Sequence, residues 1–170
     1  FIARNGKIVY HKAFGYSDSE KQTPLKKDDI FRIASQTKAI TSLAVMMLFE
    51  EGKFLLDEPI SKYIPEFKSP RVMTNLNWSD TSYTTIPAKV EVTIRQLLTH
   101  TSGIDYASIG SQEFKAIYAK AKVPSGIGND NMVLGDKMKI LGGLPLKHQP
   151  GEAYTYGLNS DVLGYLVEVV

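Results

Sequence analysis

The sequence predicts an α+β fold from the order of three features: an extended, turn-marked opening, one long helix-forming stretch, and a mainly helical middle that ends in a return segment. The opening reads as a β-hairpin. Asn5-Gly6 stands between two extended stretches, residues 1–4 and 7–10, and this dipeptide is favoured where a two-residue turn needs positive φ at both positions. The hairpin is expected to run to about Gly15. Thr23-Pro24 and Asp28-Asp29 mark a loop, and residues 30–33 read as a further short extended piece leading into Ser35.

Residues 35–51 contain neither Gly nor Pro, and Ala39, Ile40, Leu43, Ala44, Met46, Met47 and Leu48 cover more than one helical face. That pattern predicts a helix enclosed by other elements, with Gly52 placed to end it. Residues 55–67, with Pro59 and Pro65, suggest short helical turns, and residues 69–90 a small exposed hairpin with a Ser79-Asp80 turn. Thr93 and Gln96 match a capping box ahead of a short helix through Leu98. Helices are expected over residues 111–121 and near residues 132–141, with a loop over residues 126–129 between them. Pro150-Gly151 makes a tight turn before Tyr154-Thr155-Tyr156, and residues 161–170 follow a helical pattern. No internal repeat and no low-complexity tract is present.

Composition narrows the function. With 43% hydrophobic and 22% charged residues, the 170-residue chain has the makeup of one globular domain with a sizeable core. Net charge is +2 and the basic residues are scattered, so the footprint of a nucleic-acid binder is missing. There is no cysteine, which excludes disulfides and thiolate metal sites. The longest apolar run lies around residues 43–49, far short of the roughly 20 residues that span a bilayer. Both ends read as interrupted, the first in a strand interior and the last in a helix without a stop signal, so further residues are expected on both sides.

Chemistry centres on Ser35-Gln36-Thr37-Lys38, a Ser-x-x-Lys tetrad at the start of the predicted helix, whose spacing puts hydroxyl and ammonium on one face. A serine hydroxyl is a weak nucleophile until a base takes its proton, and a lysine serves as that base when desolvation or positive charge lowers its pKa. Alone the tetrad is not decisive: a chain of this length holds roughly one by chance, and Ser35 as an N-cap beside a solvated Lys38 fits as well. His100 is the commonest type of general base. His11 and His148 are isolated, and no spacing matches a zinc site. Gly126-Ile-Gly128 and Gly142-Gly143 lack the rest of a phosphate-binding fingerprint. Trp78, Tyr83, Tyr106 and Tyr118 are candidates for a cleft lining, with packing as the simpler alternative.

Three blocks give the tetrad a context. Phe31-Arg-Ile-Ala-Ser-Gln-Thr-Lys-Ala-Ile-Thr-Ser42, followed by Leu48-Phe-Glu-Glu-Gly-Lys53 and Leu56-Asp-Glu-Pro-Ile60, resembles the nucleophile region of the β-lactamase-related serine hydrolases, the superfamily of class C β-lactamases, penicillin-binding proteins and family VIII carboxylesterases. Ile94-Arg-Gln-Leu-Leu-Thr-His-Thr-Ser-Gly-Ile104 resembles a second hallmark stretch, and Gln149-Pro-Gly-Glu-Ala-Tyr-Thr-Tyr-Gly-Leu-Asn-Ser-Asp-Val-Leu-Gly164 a third. The order of the blocks matches the family's, and they cover nearly the whole chain.

The resemblance implies a β-lactamase/transpeptidase-like α+β fold: an antiparallel sheet, a buried nucleophile-bearing helix and a largely helical insertion, incomplete at its C-terminal strands. It implies one partial domain over 1–170, in which residues 1–34 are strands and lead-in, 35–52 the nucleophile helix, 53–150 the helical region and 151–170 the return segment. It makes Ser35 the nucleophile, Lys38 its uncharged base and Tyr156 a proton relay, with Tyr154 as a packing aromatic. It reads the His100 stretch as a structural turn in which His100 and Thr101 bond backbone and Gly103 takes an unusual φ.

Class C enzymes carry Asn two residues after the tyrosine, whereas this chain has Leu158 there and Asn159 one place on; these two are the expected substrate-binding residues, and the departure favours esters or amides over β-lactams. No cofactor or metal is implied. Implied partners are a small ester, amide or β-lactam substrate or a peptidoglycan peptide, and the implied location is periplasmic or extracellular. The family's further Lys-Thr-Gly-like or His-x-Gly-like triplet has no counterpart in these residues, so the segment alone is expected to be inactive. The alternative is a non-catalytic ligand-binding or peptidoglycan-sensing module on the same fold.

Overall fold

The structure, a computed structural model, describes residues 1–125 and 131–170. The Gly126-Ile-Gly128 triplet and the expected loop over residues 126–129 lie outside the described residues. Where one domain is expected, the chain forms two compact units, Phe1–Ala34 and Ser35–Val170. The division has a simple physical basis: no residue of the first unit is buried, so it shares in no hydrophobic core.

In the first unit β1 (Ile2–Arg4) pairs antiparallel with β2 (Lys7–Tyr10). The turn between them has φ of 50° at Asn5 and 71° at Gly6, the conformation the Asn-Gly dipeptide predicts. Thr23-Pro24, expected as loop, instead forms β4 and pairs with β3 (Tyr16–Asp18). A proline is tolerated there because a two-residue strand needs few ladder donors. Residues 30–33, expected to be extended, adopt no regular structure.

A 3₁₀ turn, Ala34–Gln36, carries the chain from the first unit into the second and runs directly into α1 (Thr37–Glu50). Gly52 ends α1 with a φ of +72° that suits glycine, its N–H donating to Phe49 O. The expected enclosure of this helix is only half realised. Val45 is fully buried, but Ile40, Leu43 and Met47 are 61%, 58% and 55% exposed, because α5 (Asn159–Val169) covers one side and nothing among the described residues of this unit covers the other.

The fold is α+β and β-lactamase/transpeptidase-like, and its described strands pair antiparallel, in three separate two-stranded sheets, the third from β5 (Arg71–Asn77) and β6 (Ser82–Pro87). This last hairpin sits where the sequence places one, and Val72 and Leu76 turn into the core. Two 3₁₀ turns, Ile60–Lys62 and Pro65–Phe67, fill the proline-marked stretch.

Four further helices lie among the described residues of the unit. α2 (Ile94–Leu98) has the full capping box, with Gln96 N–H donating to Thr93 Oγ1 and Thr93 N–H to Gln96 Oε1. α3 (Gln112–Lys120) and α4 (Leu134–Gly142) match the predicted helices within the usual boundary error. Gly142 is the last residue of α4, and a Cβ there would meet the Glu66 backbone at 2.9 Å. It serves close packing against the second 3₁₀ turn, not phosphate binding. α5 packs against α1, α2 and α4, and buries Val162, Leu163 and Leu166 completely or nearly so. Each such aliphatic side chain contributes about 1.5–3 kcal/mol of burial, which anchors the N-terminal end of α5 beside the start of α1.

Candidate active site

The nucleophile candidate lies in the 3₁₀ turn ahead of α1. Ala34, just before it, has φ +46°, a left-handed conformation that costs roughly 1–2 kcal/mol for a residue with a Cβ. That kink sets Ser35 on a tight turn with its side chain exposed, while Lys38 stands one turn further on, half-buried.

Tyr156 comes from the opposite end of the unit. A seam of main-chain hydrogen bonds fixes its segment: Thr155 N–H donates to His100 O, Gly151 N–H to Thr101 O and Lys147 N–H to Gly103 O, each at 2.8 Å, and Leu158 N–H to Asp105 O at 3.2 Å. The seam needs glycine on both sides. Gly103 has φ +91° and its Cβ would meet His148 O at 2.5 Å; a Cβ on Gly157 would meet Ile104 O at 2.0 Å.

The seam delivers the Tyr156 hydroxyl to 2.9 Å from Ser35 Oγ. Lys38 Nζ lies 4.9 Å from the centroid of the Tyr156 ring and 5.8 Å from that of Tyr106. The Tyr156 ring is stacked against both His100, at 5.1 Å and 28°, and Tyr106, at 5.6 Å and 16°. Ser35, Lys38 and Tyr156, singled out in the sequence, are therefore brought together, with two aromatic neighbours holding the phenol.

The electrostatics divide the roles. Tyr156 lies below the ordinary tyrosine range, first because the Lys38 ammonium bonds its hydroxyl and second because Ser35 does. Burial alone would depress Lys38, but the Tyr156 hydroxyl, with Tyr106 and the Asp161 charge behind it, more than offsets this, and Lys38 is held above its ordinary value. The amine thus holds its proton more tightly than a free lysine does, and the hydroxyl touching Ser35 is that of Tyr156. His100 is pushed down by burial and by the Lys38 charge. Its Nδ1 accepts from Asn159 Nδ2 at 2.9 Å and from Gly157 N–H at 3.4 Å, so it supports the tyrosine rather than the serine.

Leu158 and Asn159 are corrected. Both are fully buried, Leu158 in the hydrophobic core and Asn159 with its Oδ1 accepting from Ser102 Oγ and its Nδ2 donating to His100. At the start of α5 their side chains point inward, so neither reaches a substrate. Of the turn residues, Thr101 bonds backbone as expected, its N–H donating to Gln96 O at 2.8 Å and its carbonyl accepting from Gly151 N–H, while its side chain bonds the Thr99 hydroxyl at 2.9 Å. Tyr154, expected to pack, sets its ring 5.9 Å from that of His100 while staying 67% exposed.

Tyr118 is a packing residue, fully buried with its hydroxyl accepting from Asp105 N–H at 3.2 Å, whereas Trp78 and Tyr83 lie exposed at the β5–β6 hairpin. Beside Tyr156 opens a cavity of about 360 Å³ whose walls include Tyr154, Ile109, Ser111 and the Lys147–Asp105 ion pair.

Two residues escaped sequence reasoning. Ser102 shows only as part of a turn motif, and its bond to Asn159 is invisible without coordinates. Asp161, in the first turn of α5, is half-buried, and burial raises its carboxyl despite the opposing Lys38 charge. No cluster of three or more potential metal ligands exists among the described residues, and no described helix is long and apolar enough to cross a membrane.

Comparison with known proteins agrees in one direction. The family model described as beta-lactamase matches residues 1–170. Esterase EstB of Burkholderia gladioli is 35% identical over 167 residues, covering 98% of this chain and 39% of EstB. Among solved structures, EstCE1, a hydrolase with promiscuous acyltransferase activity, superposes with a TM-score of 0.77 at 30% identity, covering 98% of this chain and 40% of that one. The octameric penicillin-binding protein homologue from Pyrococcus abyssi gives 0.63 at 29% identity, covering 98% and 33%. The chain thus spans less than half the length of each.

Proposed function

The chain belongs to the beta-lactamase family, and from that premise we propose that it carries the acylating machinery of a serine hydrolase acting on esters or amides. The observation that supports this reading most directly is the 2.9 Å contact between Ser35 Oγ and the Tyr156 hydroxyl, with the Lys38 ammonium over the same ring. Lys38 favours the phenolate of Tyr156, which takes the proton of Ser35 as Oγ attacks the substrate carbonyl carbon. The Ser35 N–H donates to the developing oxyanion, a contribution typically worth about 100-fold to 1000-fold. As the carbonyl–leaving group bond breaks, the leaving group takes that proton from Tyr156, and an acyl-serine ester remains. Water then attacks the ester, giving its proton to Tyr156, which passes it to Ser35 Oγ as the bond to the acyl carbon breaks and the acid is released.

Esters are favoured over β-lactams because Asn159, the polar residue nearest the class C position, is turned into the core. Among its relatives EstB is an esterase and EstCE1 a hydrolase with acyltransferase activity. Residues 1–170 are proposed to form part of one hydrolase domain and to be inactive when expressed alone.

The test is acylation of the full-length protein by a fluorophosphonate probe and turnover of p-nitrophenyl butyrate. Ser35→Ala is expected to abolish labelling, and Tyr156→Phe to slow acylation by about 10²–10⁴-fold. Labelling that persists in Ser35→Ala would refute the nucleophile. Labelling without turnover in the wild type would favour a sensing module on the same fold.

A further inference from the structure

One fully buried hydroxyl has no part in the chemistry above. Ser102 stands two residues after His100, in the turn that follows α2, and its Oγ is bonded on both sides. The direction of these bonds follows from a group whose role is fixed. A backbone N–H can only donate, so Ile104 N–H, at 3.1 Å, makes Ser102 Oγ its acceptor. The Ser102 proton is then left for Asn159, and only the oxygen of that amide can take it. With Oδ1 turned to Ser102, Asn159 Nδ2 faces His100 Nδ1 at 2.9 Å and Thr155 O at 3.5 Å. The opposite amide orientation would set Oδ1 against the Thr155 carbonyl and strand the Ser102 proton in the interior, where an unmade bond is costly.

The chain of bonds ends on one ring atom. His100 Nδ1 accepts from Asn159 Nδ2, and the Gly157 backbone N–H points at the same atom from 3.4 Å. A nitrogen that accepts from two donors holds no proton, so the single proton of this imidazole sits on Nε2. The surroundings also oppose a charge on the ring. From α1 it faces the Lys38 ammonium, which together with burial pushes His100 down. From the return segment it faces the rings of Tyr154 and Tyr156, and Thr155, whose Oγ1 lies 2.9 Å from His148 Nε2. α5 presents Asn159, with Asp161 two residues further on, and α2 carries Arg95, whose Nε donates to Asp57 at 2.7 Å. No carboxylate among the described residues lies within ion-pair distance of His100.

We infer that Ser102 is a positioning residue: acting through Asn159, it keeps the His100 proton on Nε2 and Nδ1 free to accept, so that the imidazole stacked on Tyr156 stays uncharged and holds the phenol at Ser35. The last step rests on the hydrolase reading above. A proton on Nδ1 would confront the Asn159 and Gly157 donors together and press residues 157–159 away from the ring. Tyr156 is the next residue in the chain and shares a stack with that ring, at 5.1 Å and 28°, so it would move with them.

The experiment is NMR of the histidine ring nitrogens of the full-length protein over a pH series, with His100 assigned by difference from His100→Gln. In the wild type the neutral Nε2–H signature is expected at neutral pH, and an Nδ1–H or doubly protonated ring there overturns the inference. In Ser102→Ala the Asn159 amide can turn its oxygen to Nδ1, so a mixture of the two tautomers and a titration at higher pH are expected. Asn159→Asp replaces the donor by an acceptor outright and is expected to raise the titration by about 1–3 pH units. A Ser102→Ala protein that loses stability yet keeps the wild-type signature and titration would mean that Ser102 merely supports the fold, and would overturn the inference.

The pH–rate profile of acylation by a fluorophosphonate probe gives a second readout. Its acid side is expected to break where His100 titrates, at higher pH in Asn159→Asp than in the wild type, and an acid side that does not move overturns the inference. Should Ser102→Ala not fold, the wild-type spectrum and Asn159→Asp decide in its place. If Ser35→Ala still labels, the hydrolase reading fails, while the ring-nitrogen spectra go on testing Ser102 by themselves.

Discussion

Lys38 and Tyr156 are displaced in opposite directions by one shared contact: the ammonium lies 4.9 Å from the centre of the phenol ring and bonds its hydroxyl, so the amine holds its proton more tightly and the phenol more loosely. Activity should rise as pH passes the lowered tyrosine value and fall as it passes the raised lysine value. Lys38→Met removes the positive charge, so the rising limb is expected to move to higher pH, toward ordinary tyrosine. Lys38→Arg keeps the charge and should retain more activity than Lys38→Met. If the arginine variant is as inactive as the methionine one, a neutral amine is the true base.

Asn159→Ala tests the buried amide. It would leave the Ser102 hydroxyl proton without its acceptor in the interior, at about 1–3 kcal/mol for an unsatisfied group, and take from His100 Nδ1 the nearer of its two donors. The expected result is a lowered melting temperature and a smaller kcat, with KM little changed, because Asn159 orients the stack behind Tyr156 and touches no substrate. A selective rise in KM would return it to the binding surface.

Asp105 should make stability sensitive to acid. Burial would raise its carboxyl, but N–H donors from Ser111 and Tyr106 and the Lys147 ammonium lower it further than burial lifts it. A carboxyl lowered in the folded state stabilises fully above the ordinary carboxylate range, and that contribution fades as pH falls through the folded value. Asp105→Asn is therefore expected to cost about 2–3 kcal/mol at neutral pH. The gap in denaturation midpoint from wild type should narrow on acidification through the carboxylate range. A gap independent of pH would contradict this account.

Gly157→Ala should be among the most damaging conservative changes, since its Cβ would lie 2.0 Å from Ile104 O. Overpacking against backbone costs typically 1–3 kcal/mol or more. Here it also pushes apart the strands of chain that hold Tyr156, so thermal denaturation and acylation rate should fall together. A variant of wild-type stability would show that the seam can open without penalty.

Much of this was legible in the residues because local signals and tertiary structure agree. Asn5-Gly6, the Thr93–Gln96 capping box, the stretch after Ser35 and the Gly52 stop each encode a conformation through their immediate neighbours. Ser35, Lys38 and Tyr156 were found through sequence blocks. What failed depends on side chains far apart in sequence. Tyr156, first among the neighbours that raise Lys38, lies more than a hundred positions away, and no local pattern carries that. Asn159 was misplaced because spacing from Tyr156 gives no direction: the start of α5 turns it toward Ser102 and His100. The strand at Thr23-Pro24 and the open side of α1 escaped for a related reason, because pairing and cover come from other elements.

The four main-chain bonds that tie residues 100–105 to residues 147–158 carry one more implication. Backbone amides and carbonyls are the same whatever side chain is attached, so Tyr154, Ile109 and Ser111 on the cavity wall are free to vary while the phenol keeps its address. Substitutions on the wall can therefore reshape the cavity without first rebuilding the seam behind it.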